Sequence, residues 1–490
     1  MPPHIGGQAV IRRLRRGRTQ MGNDRAVAVD PARPVQARQP GTAALTLALI
    51  GLAGASIEWY DFLLYATAAA LVFPAMFFPA SLPPLVALIA SFSTFAVGFL
   101  ARPVGAVLFG HLGDRVGRKA AFALALCMMG TATTVIGCLP SYHAAGAFAP
   151  LALVLLRFMQ GLALGGQWGG AILLATESAP NSKRGLYGSI AQAGVPVGAL
   201  LANLAFLIAN GAMSPKAFLA YGWRIPFLFS IALVGLGAFI HFRVEDTGAL
   251  RQLQQLEPSV VDPPAHPVSS PAPCAAGPMR GHPSPIFEAL RLYPRLIFVA
   301  AGAFVSTNLA FYILITYVVA YGTSAAGLRL PRSTMLIPGL IANAATPAVI
   351  FLAGALSDRY GRRRIFMIGV ALMGVWGFIL FPLIETRSLL WITAAIFVGL
   401  SFTAWTYGPM AAMFAELFIA RVRYTAASLA YQIAAIVGGG LAPIIATGLY
   451  AKYHSNIWIS VYIASACALS LVCVSVLKEK PKTDLDATPS

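Results

Sequence analysis

The sequence predicts an all-α membrane protein: twelve transmembrane helices in two pseudo-symmetric six-helix bundles. Three observations predict it. Long apolar runs follow one another through a 490-residue chain that is 58% hydrophobic and only 11% charged, where a soluble domain carries about 25% charged residues; its mean hydropathy is +0.73. A short polar motif occurs twice, once in each half. The cationic residues of the connections fall mainly on alternate sides of the apolar runs.

The apolar runs give spans at 43–74, 84–110, 120–140, 148–178, 186–211, 221–243, 294–322, 333–355, 365–384, 389–418, 425–450 and 457–477. Each is long enough to cross a hydrocarbon layer of ~30 Å at ~1.5 Å per residue. Around them the chain divides into a basic N-terminal arm (1–41), an N-terminal bundle (42–243), a central linker (244–293), a C-terminal bundle (294–477) and a tail (478–490). The arm is expected to be disordered. The linker is expected to be flexible, because its 257–285 stretch is rich in Pro, Ala and Ser and cannot pack a core.

The repeated motif is GHLGDRVGRK at 110–119 and GALSDRYGRR at 354–363. Gly110 matches Gly354, Asp114 matches Asp358, Arg115 matches Arg359, Gly117 matches Gly361 and Arg118 matches Arg362, all at one offset. Such charges cannot lie in lipid, so each copy is expected as a short polar connection between two spans. A repeat of half the chain's length points to a two-fold transporter architecture. A second correspondence supports it: Glu177 precedes Arg184 and Ser189 at the spacing with which Glu416 precedes Arg423 and Ser428.

The basic loops lie mostly on the side of the arm, the linker and the tail (Arg115, Arg118, Lys119, Lys183, Arg184, Arg359, Arg362, Arg363, Arg364, Arg421, Arg423, Lys478), which places both termini in the cytoplasm. The formal net charge of +18 is therefore a matter of topology, and no basic face with interleaved aromatics points to nucleic acid. The five cysteines have no metal-ligand spacing and are read as small apolar residues. No metal, cofactor, phosphate loop or paired nucleophile and base is expected, so the chain does not read as an enzyme.

Within the first span, GASIEWYDF holds Glu58 and Asp61 on one helical face. Carboxylates at membrane depth are costly and normally face a cavity or a cation, so the two are expected to line a cavity and carry protons. In the fourth span RFMQGLALGG places Arg157, permanently charged, with Asp61, Glu58 or an anionic substrate as its natural partner. Other polar residues inside spans supply substrate-site candidates: Gln160, Gln192, Asn308, Tyr312 and Gln432. Asp114, Arg118 and Glu177 in one half, with Asp358, Arg362 and Glu416 in the other, are expected to form a cytoplasmic gate. Its Asp residues would accept from a helix N-terminus, which carries partial positive charge.

The stretches EWYDF (58–62), RPVGAVLFGHLGDRVGRK (102–119), RFMQGLALGGQWGGA (157–171) and 408–434 resemble the metabolite:proton symporters of the major facilitator superfamily. The resemblance covers about residues 45–475. It implies a proton-coupled secondary transporter in a bacterial inner membrane, importing a small organic acid by alternating access. The family's substrates include 2-oxoglutarate, citrate, shikimate, and zwitterions such as proline and betaine. Many members have a Glu where this chain has Gln167; its loss favours an anionic substrate. Protonation of Asp61 or Glu58 would then release Arg157 to the substrate. One chain holds both halves of the cavity, so a monomer is expected. The alternatives are a betaine- or proline-like osmolyte transporter, with aromatic residues holding the cation, and a non-transporting membrane sensor.

Overall fold

The computed structural model describes residues 40–116, 118–165, 176, 179, 181–232, 235, 291–418 and 420–477. Residues 1–39 of the expected arm, the expected tail, residues 244–290 of the expected linker, Gln167 and Glu177 lie outside the described residues, as do the side chains of Asp114 and Arg118.

Among the described residues there is no strand, and a helix occupies each of the twelve predicted spans. They are α1 (Pro40–Leu71), α2 (Pro84–Val116), α3 (Arg118–Cys138), α4 (Phe148–Gly165), α5 (Arg184–Gly211), α6 (224–232), α7 (Pro294–Thr323), α8 (Arg332–Tyr360), α9 (Arg362–Glu385), α10 (Leu389–Leu417), α11 (Thr425–Tyr453) and α12 (Ile457–Val476). Proline opens α2 and α7, where its missing N–H would have no intrahelical partner. Pro338 and Pro347 lie inside α8, Pro382 inside α9 and Pro409 inside α10, each removing one intrahelical N–H donor.

The repeated motif departs from expectation. It is mostly helix: α2 runs on to Val116 and α8 to Tyr360, so the polar residues extend the helices past the apolar core. Intrahelical hydrogen bonds satisfy the backbone as well in water as in lipid, so the helix continues until a residue breaks it. In the second copy the break is Gly361, at φ 99°, a conformation that costs glycine nothing and most other residues dearly.

Outward faces are apolar, as lipid demands: Leu100, Val104, Val107 and Leu108 on α2, and Leu151 and Leu155 on α4, are exposed. Inside the N-terminal bundle, α2 and α4 meet backbone to backbone. A Cβ on Gly105, Gly161 or Gly165 would collide with the main chain of Leu162, Gly98 or Arg102 respectively. The spacing Arg157, Gly161, Gly165 sets all three on one side of α4. The glycines bring the helices together, and Gly98 leaves the room that the Arg157 side chain fills.

The halves join through α5 against α8 and α10, and through α2 against α11. Two π-helical turns, Ile313–Tyr317 in α7 and Ala435–Gly440 in α11, fall near this central contact; such turns often adjoin functional sites.

Candidate functional site: a central cavity and a buried polar relay

A cavity of about 450 Å³, its mouth included, lies between the halves. Trp59, Val195 and Pro196 come from the N-terminal half; Thr307, Asn308, Phe311, Tyr312, Thr346, Thr403, Tyr407 and Tyr431 come from the C-terminal half. Five aromatic side chains make it largely a π-faced chamber. Thr346 and Thr403 donate their hydroxyls to their own helices, at Ala342 O (2.7 Å) and Leu400 O (2.7 Å), which leaves oxygen lone pairs as acceptors.

Of the substrate candidates, Asn308 and Tyr312 line this cavity. Arg157, Gln160, Gln192 and Gln432 do not; they are buried in the helix packing around it. Both polar atoms of Gln192 and the Oε1 of Gln432 lack hydrogen-bond partners.

Asp61 and Arg157 correct two expectations. Neither is on the cavity wall, and they are not an ion pair. Arg157, 0% exposed, is enclosed by rings: its guanidinium carbon lies 4.0 Å from the centroid of Phe62, 4.2 Å from Tyr65 and 4.7 Å from Phe95. Its Nη1 donates to Gln160 Oε1 (3.0 Å), its Nε to Phe95 O (3.5 Å), and its Nη2 has no partner. Gln160 Nε2 in turn donates to Thr133 Oγ1 (2.7 Å). Asp61, 1% exposed, sits beside the Thr133 and Ser230 hydroxyls, with its Oδ1 unpartnered. Thr133 donates its own hydroxyl to Met129 O (2.9 Å) and accepts from Gln160, so Thr133 and Gln160 stand between Asp61 and Arg157, with the step from Asp61 to Thr133 a close approach of side chains. The aromatic enclosure closes over the cation where a direct carboxylate contact was expected. Glu58 is half-buried on the same helix as Asp61 and is absent from the cavity wall.

Thr133 and Arg102 escaped the sequence reading. Thr133 is one hydroxyl among several in an apolar helix. Arg102 had a usable signal: a cation between Ala101 and Pro103, in the interior of an apolar run, is as costly at membrane depth as Arg157. Thr133→Val would leave Gln160 Nε2 without its acceptor, a cost of about 1–3 kcal/mol. Proton-driven uptake should fall severalfold at equal membrane abundance, and Thr133→Ser should restore it; uptake at the native level in the valine variant would remove Thr133 from the relay.

At the motif-bearing end the second repeat crosses the half interface. Asp358 accepts from the backbone N–H groups of Gly185 (2.9 Å) and Leu186 (3.0 Å), at the N-terminus of α5, where the helix dipole favours an anion. Arg362 bonds Asp358 and Ser357, and reaches Glu416 (3.1 Å). The contact needs close approach: a Cβ on Gly354 would sit 2.6 Å from Gly185 O. Of the first-repeat partners, Glu177 lies outside the described residues, as do the side chains of Asp114 and Arg118.

Among the described residues, helices at twelve spans in two related halves, with a cavity between the halves, are the architecture of a membrane transporter. The profile of the Major Facilitator Superfamily matches residues 83–350 and 344–490, and the chain belongs to that family. It is 38% identical over 431 residues to the inner membrane metabolite transport protein YhjE of Escherichia coli K12, covering 87% of this chain and 92% of that one. It is 37% identical over 441 residues to the shikimate transporter of the same organism (89% and 94% covered). It is 30% identical to the glycine betaine/proline/ectoine/pipecolic acid transporter OusA of Dickeya dadantii (91% and 85% covered). Among solved structures the xylose transporter XylE from E. coli superposes with a TM-score of 0.65 at 15% identity, over 89% of this chain and 98% of that one, a likeness of fold.

Proposed function

We propose that the chain is a proton-coupled importer of a small organic acid, working by alternating access. The observation that carries this reading is a buried Asp61 beside Thr133, from which hydrogen bonds run through Gln160 to Arg157, in a bundle that abuts the central cavity. A carboxylate held this deep in a membrane protein is costly unless it changes its charge during work. Protonation gives Asp61 a hydroxyl that can donate to the remaining lone pair of Thr133 Oγ1, whose own hydrogen goes to Met129 O and whose other lone pair accepts from Gln160; Gln160 passes that change to Arg157. Glu58 is a second proton-carrying candidate on the same helix. The Asp358–Arg362–Glu416 cluster acts as one half of a cytoplasmic gate, with Asp114, Arg118 and Glu177 as its counterpart, and both termini lie in the cytoplasm. The shikimate and metabolite transporters among its relatives support a carboxylate cargo.

The aromatic wall favours a second reading, a betaine- or proline-like zwitterion. Trp59, Phe311, Tyr312, Tyr407 and Tyr431 offer π faces that attract a quaternary or secondary ammonium, and OusA is a relative. Uptake of labelled shikimate, 2-oxoglutarate, citrate and glycine betaine into cells expressing the chain, at two external pH values, separates the readings. Acid-stimulated uptake of one of the three acids, not competed by betaine, is expected. Uptake confined to betaine would replace the organic-acid reading with the osmolyte one. Loss of pH dependence for every cargo would remove the coupling.

A further inference from the structure

We propose that Arg102 is a carboxylate-binding subsite of the central cavity, taking a cargo carboxylate through its Nε and Nη2 hydrogens once Tyr312 moves aside. This rests on the reading of the cargo as a carboxylate-bearing metabolite.

The argument starts from what the side chain lacks. Arg102 is 1% exposed, and both its Nε and its Nη2 have no hydrogen-bond partner. Buried polar groups are almost always satisfied, and a buried cation more stringently than most. These two nitrogens form one edge of the guanidinium fork, the side-on edge that meets a carboxylate with two parallel N–H bonds. An arginine kept only for packing has no reason to leave that edge bare.

Its surroundings supply rings and no acid. The guanidinium carbon lies 4.3 Å from the Phe62 centroid, 4.4 Å from Phe99 and 5.8 Å from Trp59. Phe62 is shared with Arg157, on whose guanidinium it also lies, at 4.0 Å. Faces of rings steady a cation but do not occupy its N–H groups. The Tyr312 hydroxyl lies against it, with the Tyr407 hydroxyl and the Arg157 charge also near. Tyr312 and Trp59 both line the cavity, so Arg102 stands one side-chain layer behind its wall.

The layer is built to hold that position and to yield. Arg102 is followed by Pro103, and its carbonyl abuts Gly165, which pins the backbone of α2 against α4. The Tyr312 ring packs on Gly439, in the π-helical turn of α11, and that turn also packs on Phe99. A change in how α11 meets α2, which alternation between states requires, moves Tyr312 relative to Arg102. The cargo's carboxylate would then reach Arg102 while its body stays among Trp59, Tyr407 and Tyr431.

Binding to the purified full chain tests this, with shikimate, its methyl ester and glycine betaine as probes. The readouts are tryptophan quenching, with Trp59→Phe as the control for its source, and thermal stabilisation. The wild type should bind shikimate or betaine and ignore the ester. Arg102→Gln should lose at least tenfold in affinity for the acid that binds. Arg102→Lys keeps the buried charge but not the two-pronged edge, and should also lose about tenfold; it decides the matter if the glutamine variant does not fold. Undiminished acid binding in Arg102→Lys or in a folded Arg102→Gln protein would overturn the subsite and leave the carboxylate reading standing. A wild type that binds the ester as well as the acid would overturn both.

Discussion

Asp61→Asn is expected to abolish proton-driven accumulation while leaving exchange of cargo across the membrane close to the native rate. The substitution is nearly isosteric and fixes the side chain in its neutral state. Asp61 is buried between α1, α3 and α6 with Oδ1 unpartnered, so an amide there removes no ion pair and should fold. In vesicles given a one-unit pH step, one coupled proton sustains about a tenfold cargo gradient, since each unit is worth about 1.36 kcal/mol. The asparagine variant should show no gradient beyond equilibrium, yet should still exchange internal unlabelled cargo for external label. Arg157→Ala should lose both, because it empties the aromatic enclosure of Phe62, Tyr65 and Phe95 and leaves Gln160 without its donor. An asparagine variant that still accumulates cargo in response to pH would place coupling elsewhere, with Glu58 the next residue to replace.

The outcome bears on how much of this molecule was legible in its sequence. Helix positions were, because about twenty apolar residues between polar connections admit few other structures in lipid. The matching of Asp114 with Asp358 and of Glu177 with Glu416 located the motif-bearing end, and Asp358 does accept from a helix N-terminus of the other half. The spacing of Arg157, Gly161 and Gly165 was visible, and so was the common face of Glu58 and Asp61. What spacing withholds is rotation. It states which residues share a face, not which neighbour that face meets. Asp61, Glu58 and an anionic substrate were therefore all open as direct partners of Arg157, whereas Thr133 and Gln160 stand between it and Asp61. Arg102 was passed over because it opens a stretch dominated by its basic end, although its own flanks are apolar.

Gly354→Val should stop transport by a different route, holding the protein open at the motif-bearing end. A Cβ on Gly354 would lie 2.6 Å from Gly185 O and 2.7 Å from the Ser189 Cβ. The facing glycine is as tight: a Cβ on Gly185 would meet Gly354 O at 2.5 Å. The main-chain oxygen cannot rotate away as a flexible side chain could, so relief requires α5 and α8 to separate. Separation also pulls the Gly185 and Leu186 N–H groups off Asp358. Overpacking of this kind costs about 1–3 kcal/mol. Applied to one state only, that shifts the balance between states about 5- to 150-fold. The bundles themselves lose nothing, because the contact lies between them and not within either. The variant should thus reach the membrane in native amounts and bind cargo from the motif-bearing side. Its uptake should fall by one to two orders of magnitude. Cysteines introduced at Leu186 and Ser357 should become more reactive toward a water-soluble thiol reagent than in the wild type, after the native cysteines are replaced. Native uptake in Gly354→Val, or unchanged reactivity at those two positions, would show that this contact does not separate during the transport cycle, and the gate would have to be sought away from Asp358.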